Sequence, residues 1–352
     1  MKIKKIVVIL GMHRSGTSVL SRSMKTLGFD YGDKHGPAGF DNPKGFFEDT
    51  DLVALNEAIL HEIQHTWDSP LFLSNDHLKT INKIYFKKAK RLIDFKIKNG
   101  ITCFKDPRIT KLIKFWEPVF SSIDTDTYYL LSIRHPLSIA ESLSKRNNTS
   151  FIHSSLMWTD YYISVLEIVD WKQLSIIDYD LFIKNPTKVL NRLSQAIKAK
   201  VNFEELELFK RDFLTNKLTH SSFKLSDMKN LKDFSLAKDI YSYLLKLAKE
   251  DSRYSAVNTD LFRSRLNNQT FYHDVVESYV RLQHENKIRL QYENKINDLY
   301  VHLDSLIKTN KILEQANLAM QNSFSWRVTK PLRLIYSLNK AVIKRFFERI
   351  KG

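Results

Sequence analysis

The sequence predicts an α/β domain, a parallel β-sheet flanked by helices, followed by a C-terminal coiled-coil helix and a basic amphipathic tail. Three observations carry this. Residues 6–10 are consecutive β-branched or leucine residues that stop at Gly11 and open into a helical pattern, as a strand buried on both faces would. Three further apolar runs each bring charged residues to their carboxyl end. Residues 270–322 then contain neither glycine nor proline, and part of that stretch keeps a heptad column.

Taken in order, the first strand gives way to a helix bearing Val19, Leu20, Met24 and Leu27, which Gly28 can terminate. Residues 32–49 are dense in glycine and proline and read as a loop. A helix beginning at Glu48 and Asp49 carries Leu52, Leu55, Ile59, Leu60 and Ile63, and a basic helical region covers 78–98. The second strand, 101–104, ends at Lys105-Asp106-Pro107-Arg108. The third, 128–133, ends at Arg134-His135-Pro136 and leads into a helix with Ile139, Ser142 and Leu143. The fourth, 174–179, precedes Asn185-Pro186 and a helix over 189–197. Open parallel sheets bind ligands at the carboxyl ends of their strands, so the recurring charges point to one composite site.

The turn after the first strand has the chemistry of a phosphate cradle. Gly11 and Gly16 permit backbone angles closed to other residues, and a helix N-terminus presents free N–H groups and the positive end of its dipole. The spacing G-x-x-x-x-G matches a P-loop, but Thr17 stands where a nucleoside triphosphatase carries lysine, and the cation sits earlier, at Arg14. A sharp strand-to-helix turn with purely structural glycines is the alternative.

Three motifs together resemble the sulfotransferase family that uses 3′-phosphoadenosine 5′-phosphosulfate (PAPS), in a bacterial branch similar to tyrosylprotein sulfotransferases. They are Gly11-Met12-His13-Arg14-Ser15-Gly16-Thr17-Ser18, Arg134-His135-Pro136 with Ser142 eight positions after the arginine, and Lys105-Asp106-Pro107-Arg108. The resemblance covers about residues 1–200. It implies that Gly11, His13, Arg14, Ser15, Gly16, Thr17 and Ser18 hold the 5′-phosphosulfate, and that Arg134 and Ser142 hold the 3′-phosphate. It implies Arg14 and Lys105 at the bridging and leaving oxygens, with no metal. The family's base lies shortly after the first helix, where Glu48 is the best positional match and His35, Asp41 and Asp49 are rivals; charge compensation at a helix start is the bland reading of Glu48. Asp41, Arg108 and Trp158 are the candidate acceptor contacts, against an ion pair with Asp106 for Arg108 and core packing for Trp158. His135 reads as a turn residue.

Composition sets outer bounds. A chain of 352 residues with 43% hydrophobic content can bury a large core, and a net charge of +16 asks for an anionic partner. The single Cys103 excludes a disulfide framework and a cysteine-rich metal site and fits a reducing cytoplasm. Lys2, Lys4 and Lys5 precede an apolar run too short for a secretory signal, and no stretch reaches the ~20 apolar residues of a spanning helix. The expected organisation is a sulfotransferase-like domain over 1–265, a coiled-coil helix over 270–322 and a tail over 323–352. With Ile296, Leu303, Asn310 and Asn317 at a, Leu299, Leu306, Leu313 and Met320 fill d, which favours a parallel homodimer through 296–320 over a trimer and over a helix folded back on the domain. The tail carries eight Lys and Arg against one acid, Glu348, beside apolar residues at near-helical spacing, a pattern suited to an anionic membrane surface rather than nucleic acid. Its Ser-x-x-Trp-Arg-x-Thr-x-Pro-Leu-Arg signature, residues 323–333, is similar to tails of bacterial surface-polysaccharide enzymes. Together these readings imply a cytoplasmic enzyme at the inner membrane face that sulfates a saccharide hydroxyl of a surface polysaccharide or lipid-linked glycan. A P-loop nucleotide kinase or triphosphatase and a non-catalytic scaffold of a polysaccharide complex are the alternatives.

Overall fold

The computed structural model describes residues 4–36, 45–70, 72–214, 223–250, 262–265 and 270–350. β1 (Lys4–Leu10) is followed by α1 (Thr17–Ser23), α2 (Thr50–Glu62) and α3 (Asn75–Lys98) before β2 (Cys103–Lys105). α4 (Pro107–Lys111) and α5 (Ile113–Ser121) lead to β3 (Thr125–Ile133), and α6 (Pro136–Asn147) and α7 (Phe151–Ile168) lead to β4 (Leu174–Asp178). α8 (Tyr179–Lys184), α9 (Pro186–Ala196), α10 (Phe203–Leu208) and α11 (Ser235–Glu250) follow, then α12 (Thr270–Asn322), α13 (Phe324–Val328) and α14 (Lys330–Ile350).

The four strands form one parallel sheet in the order β2-β1-β3-β4. β1 is central because its side chains have nowhere polar to go. Ile6, Val8 and Leu10 point into one core with residues of α2, α3, α5, α7 and α11, while Val7 and Ile9 point into a second core with α1, α8, α9 and α10. Every residue from Ile6 to Leu10 is fully buried, as the period of two requires when helices cover both faces.

Strand order places the crevice. The chain leaves β1 toward β2 and leaves β3 toward β4, so the connections diverge between the carboxyl ends of β1 and β3. That divergence is the switch point at which open sheets leave room for a ligand. The turns entering it are built alike. Asp106 caps α4, accepting from the Arg108 N–H at 3.0 Å, with Pro107 at the first helical position. His135 caps α6 through Nδ1, which accepts from the Leu137 N–H at 3.2 Å, with Pro136 next. Proline suits that position because its missing N–H has no intrahelical partner there.

Two compact units divide the chain, Met1–Tyr279 and Val280–Gly352. The first runs into the start of α12 because the buried Tyr279 shares a hydrogen bond with Thr66 Oγ1 and packs its ring against His153. In the second unit, Leu299, Leu306, Leu313 and Met320 of the heptad column are all exposed. Among the described residues, no helix is long and apolar enough to cross a membrane.

Candidate active site

The β1–α1 turn is fixed from three sides. Gly11 adopts φ +146°, and a side chain there would meet Ser15 Oγ at 2.6 Å and the Ser132 carbonyl oxygen at 2.8 Å. Thr110 Oγ1, on α4, accepts from the Gly11 N–H at 2.8 Å and donates to the Gly11 carbonyl at 3.2 Å. Ser132 Oγ, on β3, donates to the Ser15 carbonyl at 2.8 Å, and Ser15 Oγ donates to the Met12 carbonyl at 2.7 Å. Gly16 then enters α1 at φ +93°, with the Tyr179 ring packed where a side chain would stand. Arg14 takes φ +70°, a left-handed conformation that a non-glycine residue holds only when its surroundings impose it.

Two arginines meet at this turn. Arg14 Nε donates to Ser142 Oγ at 2.8 Å, and Arg134 Nη1 donates to the Arg14 carbonyl at 3.2 Å. Arg134 also lies over the Tyr179 ring, 4.6 Å from its centroid. Its Nε is buried without a hydrogen-bond partner among the described residues. Ser142, which sequence spacing pairs with Arg134, is instead bound to Arg14, so the two strand ends are linked through the turn.

The β2 end supplies a third cation. Lys105 is 3% exposed, and its Nζ donates to the Phe46 carbonyl at 2.8 Å, to Glu48 Oε1 at 2.6 Å and to Ser18 Oγ at 3.4 Å. Ser18 Oγ also donates to the Phe46 carbonyl at 3.2 Å. Lys105 therefore ties the first turn of α1 to the segment carrying Glu48.

Glu48 is not a first-turn residue of a helix. It precedes the cap of α2, and its second oxygen lies 3.8 Å from Arg108 Nη1, so one carboxylate is shared between two cations. Asp49 is the cap, accepting from the N–H groups of Asp51 and Leu52 and pairing with Lys96 at 2.6 Å, which commits it to structure. His35 Nε2 is bonded to the Gly32 carbonyl at 2.9 Å. Asp41 lies outside the described residues. Arg108 is held by Asp106 at 2.9 Å, by Glu57 and by Glu48, so the ion pair with Asp106 is present, together with two more carboxylates. Burial alone would lower its pKa, but Asp106, Glu57 and Glu48 together raise it.

Trp158 requires a correction. It is fully buried on α7, 4.3 Å from the Tyr162 ring, and its indole N–H donates to the Arg134 carbonyl at 3.2 Å. An acceptor contact needs an exposed ring, so Trp158 belongs to the core and positions the Arg134 main chain. His135 is likewise buried; its pKa is lowered by burial, and its ring stacks on Phe223.

The group that sequence reasoning missed is Trp67. Its ring lies 4.4 Å from His13, with the Arg146 guanidinium 5.3 Å from its centroid. The backbone around it is pinned, since Tyr161 Oη donates to the Trp67 carbonyl at 2.8 Å and Lys111 Nζ to the Ser69 carbonyl at 2.6 Å. No local pattern marks Trp67, because its neighbours come from remote parts of the chain. His13 is held neutral first by burial and then by Arg108, Arg146, Lys105 and Arg14, which all push its pKa down, and its Nε2 has no hydrogen-bond partner among the described residues. Among those residues, no group of three or more His, Cys, Asp or Glu side chains comes together as metal ligands would.

No protein-family model matches the chain, and no curated protein matches it. Among solved structures, the sulfotransferase domain of a Synechococcus olefin synthase superposes with a TM-score of 0.39 at 14% identity, over 76% of this chain and 98% of that one. The sulfotransferase domain from the curacin biosynthetic pathway gives 0.38 at 16% identity, over 76% and 99%. A sulfotransferase from Mycobacterium tuberculosis gives 0.37 at 12% identity, over 69% and 76%. These are distant likenesses.

Proposed function

We propose that the chain is a PAPS-dependent sulfotransferase acting on a saccharide hydroxyl, with a surface polysaccharide or lipid-linked glycan as the acceptor class. The observation that carries this is the pair of arginines at the switch point, Arg14 after β1 and Arg134 after β3, with the Arg134 guanidinium on the Arg14 main-chain carbonyl and the Arg14 guanidinium on Ser142. A donor with anions at both its 5′ and 3′ ends needs two such sites, whereas a triphosphate needs one site with a lysine at Thr17. The orphaned Nε of Arg134 fits a site built to accept an anion.

Bound PAPS supplies an activated sulfuryl group. Arg14 and the N–H groups at the start of α1 hold its 5′ end, and Arg134 holds its 3′-phosphate. Lys105, buried beside Ser18, meets the negative charge that develops on the leaving oxygen, and such fixed cations act most strongly where water is excluded. Glu48 takes the proton of the attacking hydroxyl. Sulfuryl transfer resembles phosphoryl transfer in spreading charge over equatorial oxygens, so positioned cations carry most of the stabilisation.

Arg134→Ala tests the two-ended site. Calorimetric affinity for adenosine 3′,5′-bisphosphate should fall about 10- to 100-fold, as loss of a charge-assisted contact implies, while affinity for adenosine 5′-monophosphate stays within about twofold. Equal losses for both nucleotides would remove the 3′-phosphate assignment.

The exposed heptad column of α12 supports a parallel dimer of catalytic chains. Light scattering of the Leu306→Asp, Leu313→Asp double variant should give the mass of one chain where the parent gives two. A parent mass of one chain rules the dimer out.

A further inference from the structure

The stretch that catalysis leaves unexplained is the corner between α12 and α14, where the structure gives Ser323, Trp326, Thr329, Pro331 and Arg333 of the signature a part in the turn. Ser323 ends α12 by donating to the Met320 carbonyl at 2.7 Å, and caps α13 by accepting from the Trp326 N–H at 3.3 Å. Thr329 Oγ1 donates to the Ser325 carbonyl at 2.7 Å and accepts from Arg333 Nη1 at 2.6 Å. Arg333 also donates to the Trp326 carbonyl, and its guanidinium lies 3.7 Å from the indole ring centroid. Pro331 is the second residue of α14. The signature thus encodes a self-braced corner that stops the rod and starts a new helix.

Two features of this corner point to a ligand. The first is a crevice of about 610 Å³ in its crook, lined by Arg327, Lys330 and Arg333 together with Gln321, Asn322 and Ser337, and with no carboxylate. The second is the face of α14. At 100° per residue, Leu334, Ile335, Leu338 and Val342 fall within about 100° of arc, and Arg333, Lys340 and Lys344 fall within about 40° on the opposite side. Leu334, Ile335, Leu338 and Val342 are 55–65% exposed. Arg345 and Arg349 both fall on the apolar arc, where the long stem of an arginine can carry its charge outward. Residues 323–345 contain no acid at all.

We propose that this element is a docking site for an anionic lipid surface, in which the crevice takes a lipid phosphate headgroup and the apolar arc of α14 lies at the acyl boundary. Phosphate chemistry alone explains the crevice but not the four exposed aliphatic residues beside it. A nucleic-acid backbone has no use for that arc, and a second copy of α14 packed on the arc would leave the cationic crevice without an anion. An interfacial helix with cationic and apolar sides accounts for both features.

The test is co-sedimentation of the full-length chain with vesicles of phosphatidylcholine alone and of phosphatidylcholine mixed with phosphatidylglycerol. The chain should bind the mixed vesicles and not the neutral ones. Replacing both Arg327→Gln and Lys330→Gln should weaken binding roughly thirty-fold, given the contribution of each basic side chain near an anionic surface. Leu338→Asp with Val342→Asp should abolish it, while millimolar inorganic phosphate should leave it intact. Unchanged vesicle binding in both double variants overturns the proposal. Displacement by inorganic phosphate makes the crevice a soluble-phosphate site and also overturns it. So does a change confined to the oligomeric mass in Leu338→Asp with Val342→Asp, or binding to duplex DNA and to no vesicle. Affinity for adenosine 3′,5′-bisphosphate, measured on the same variants, checks that they are folded and keeps this outcome separate from the catalytic reading.

Discussion

Glu48→Gln is expected to slow sulfuryl transfer by about 10²–10⁴-fold while leaving affinity for adenosine 3′,5′-bisphosphate within about twofold. The amide keeps the shape of the carboxylate and an oxygen to receive Lys105, so the β2 end stays in place. What it loses is the ability to take a proton. Donor affinity should not suffer, because the change removes a negative charge that shares Lys105 and Arg108 with any incoming anion. The affinity readout separates this role from a purely structural ion pair, whose loss would disturb Lys105 and weaken nucleotide binding together with turnover. If transfer persists in Glu48→Gln, Glu48 is not the base. His13 then becomes the next group to test, since burial and four nearby cations keep its imidazole neutral.

Gly16→Ala should do the greatest damage to the fold of the site. For a residue with a side chain, holding the left-handed conformation at φ +93° costs about 1–2 kcal/mol. Its Cβ would also stand 2.1 Å from Tyr179 Cδ2, in a ring that lies under Arg134. Either the ring leaves Arg134 or α1 shifts away from α8, and both open the anion site. The expected loss of stability is about 3 kcal/mol or more, with a fall in bisphosphate affinity of more than about tenfold. Gly28→Ala is the control. Gly28 has φ +79°, and a Cβ at that position would have nothing within 4 Å, so the substitution should cost only the backbone penalty and leave affinity unchanged. Denaturant midpoints and calorimetry on the two variants make the comparison. Matching behaviour would mean that the Tyr179 contact does not hold the turn.

Much of the framework was legible because its signals are local. The run at residues 6–10 lies within β1, the Lys-Asp-Pro and Arg-His-Pro triplets are a cap followed by a first-turn proline, and Gly28 ends the helical turn after α1 in the left-handed conformation. Thr110 could not be read, because its hold on Gly11 spans 99 positions. Ser142 stood out by its spacing from Arg134 but not as the partner of Arg14, since spacing along α6 does not say which strand end it faces. Glu48 looked like the start of a helix because acids favour that position; its engagement with Lys105 depends on how residues 45–48 return across β2. Trp158 was ambiguous for a different reason. α7 is buried almost all round, and its polar residues Asp160 and Ser164 are buried too, so its pattern does not show which aromatic ring is available to a ligand.

Everything proposed for catalysis depends on a two-ended donor site that transfers a sulfuryl group. The decisive experiment is incubation of the full-length chain with PAPS labelled in the sulfuryl group, a panel of bacterial glycans and a magnesium chelator, following the label and the nucleotide together. Label should move to a glycan while adenosine 3′,5′-bisphosphate accumulates in equal amount. No binding of the bisphosphate, accompanied by magnesium-dependent hydrolysis of ATP, would refute the two-ended site.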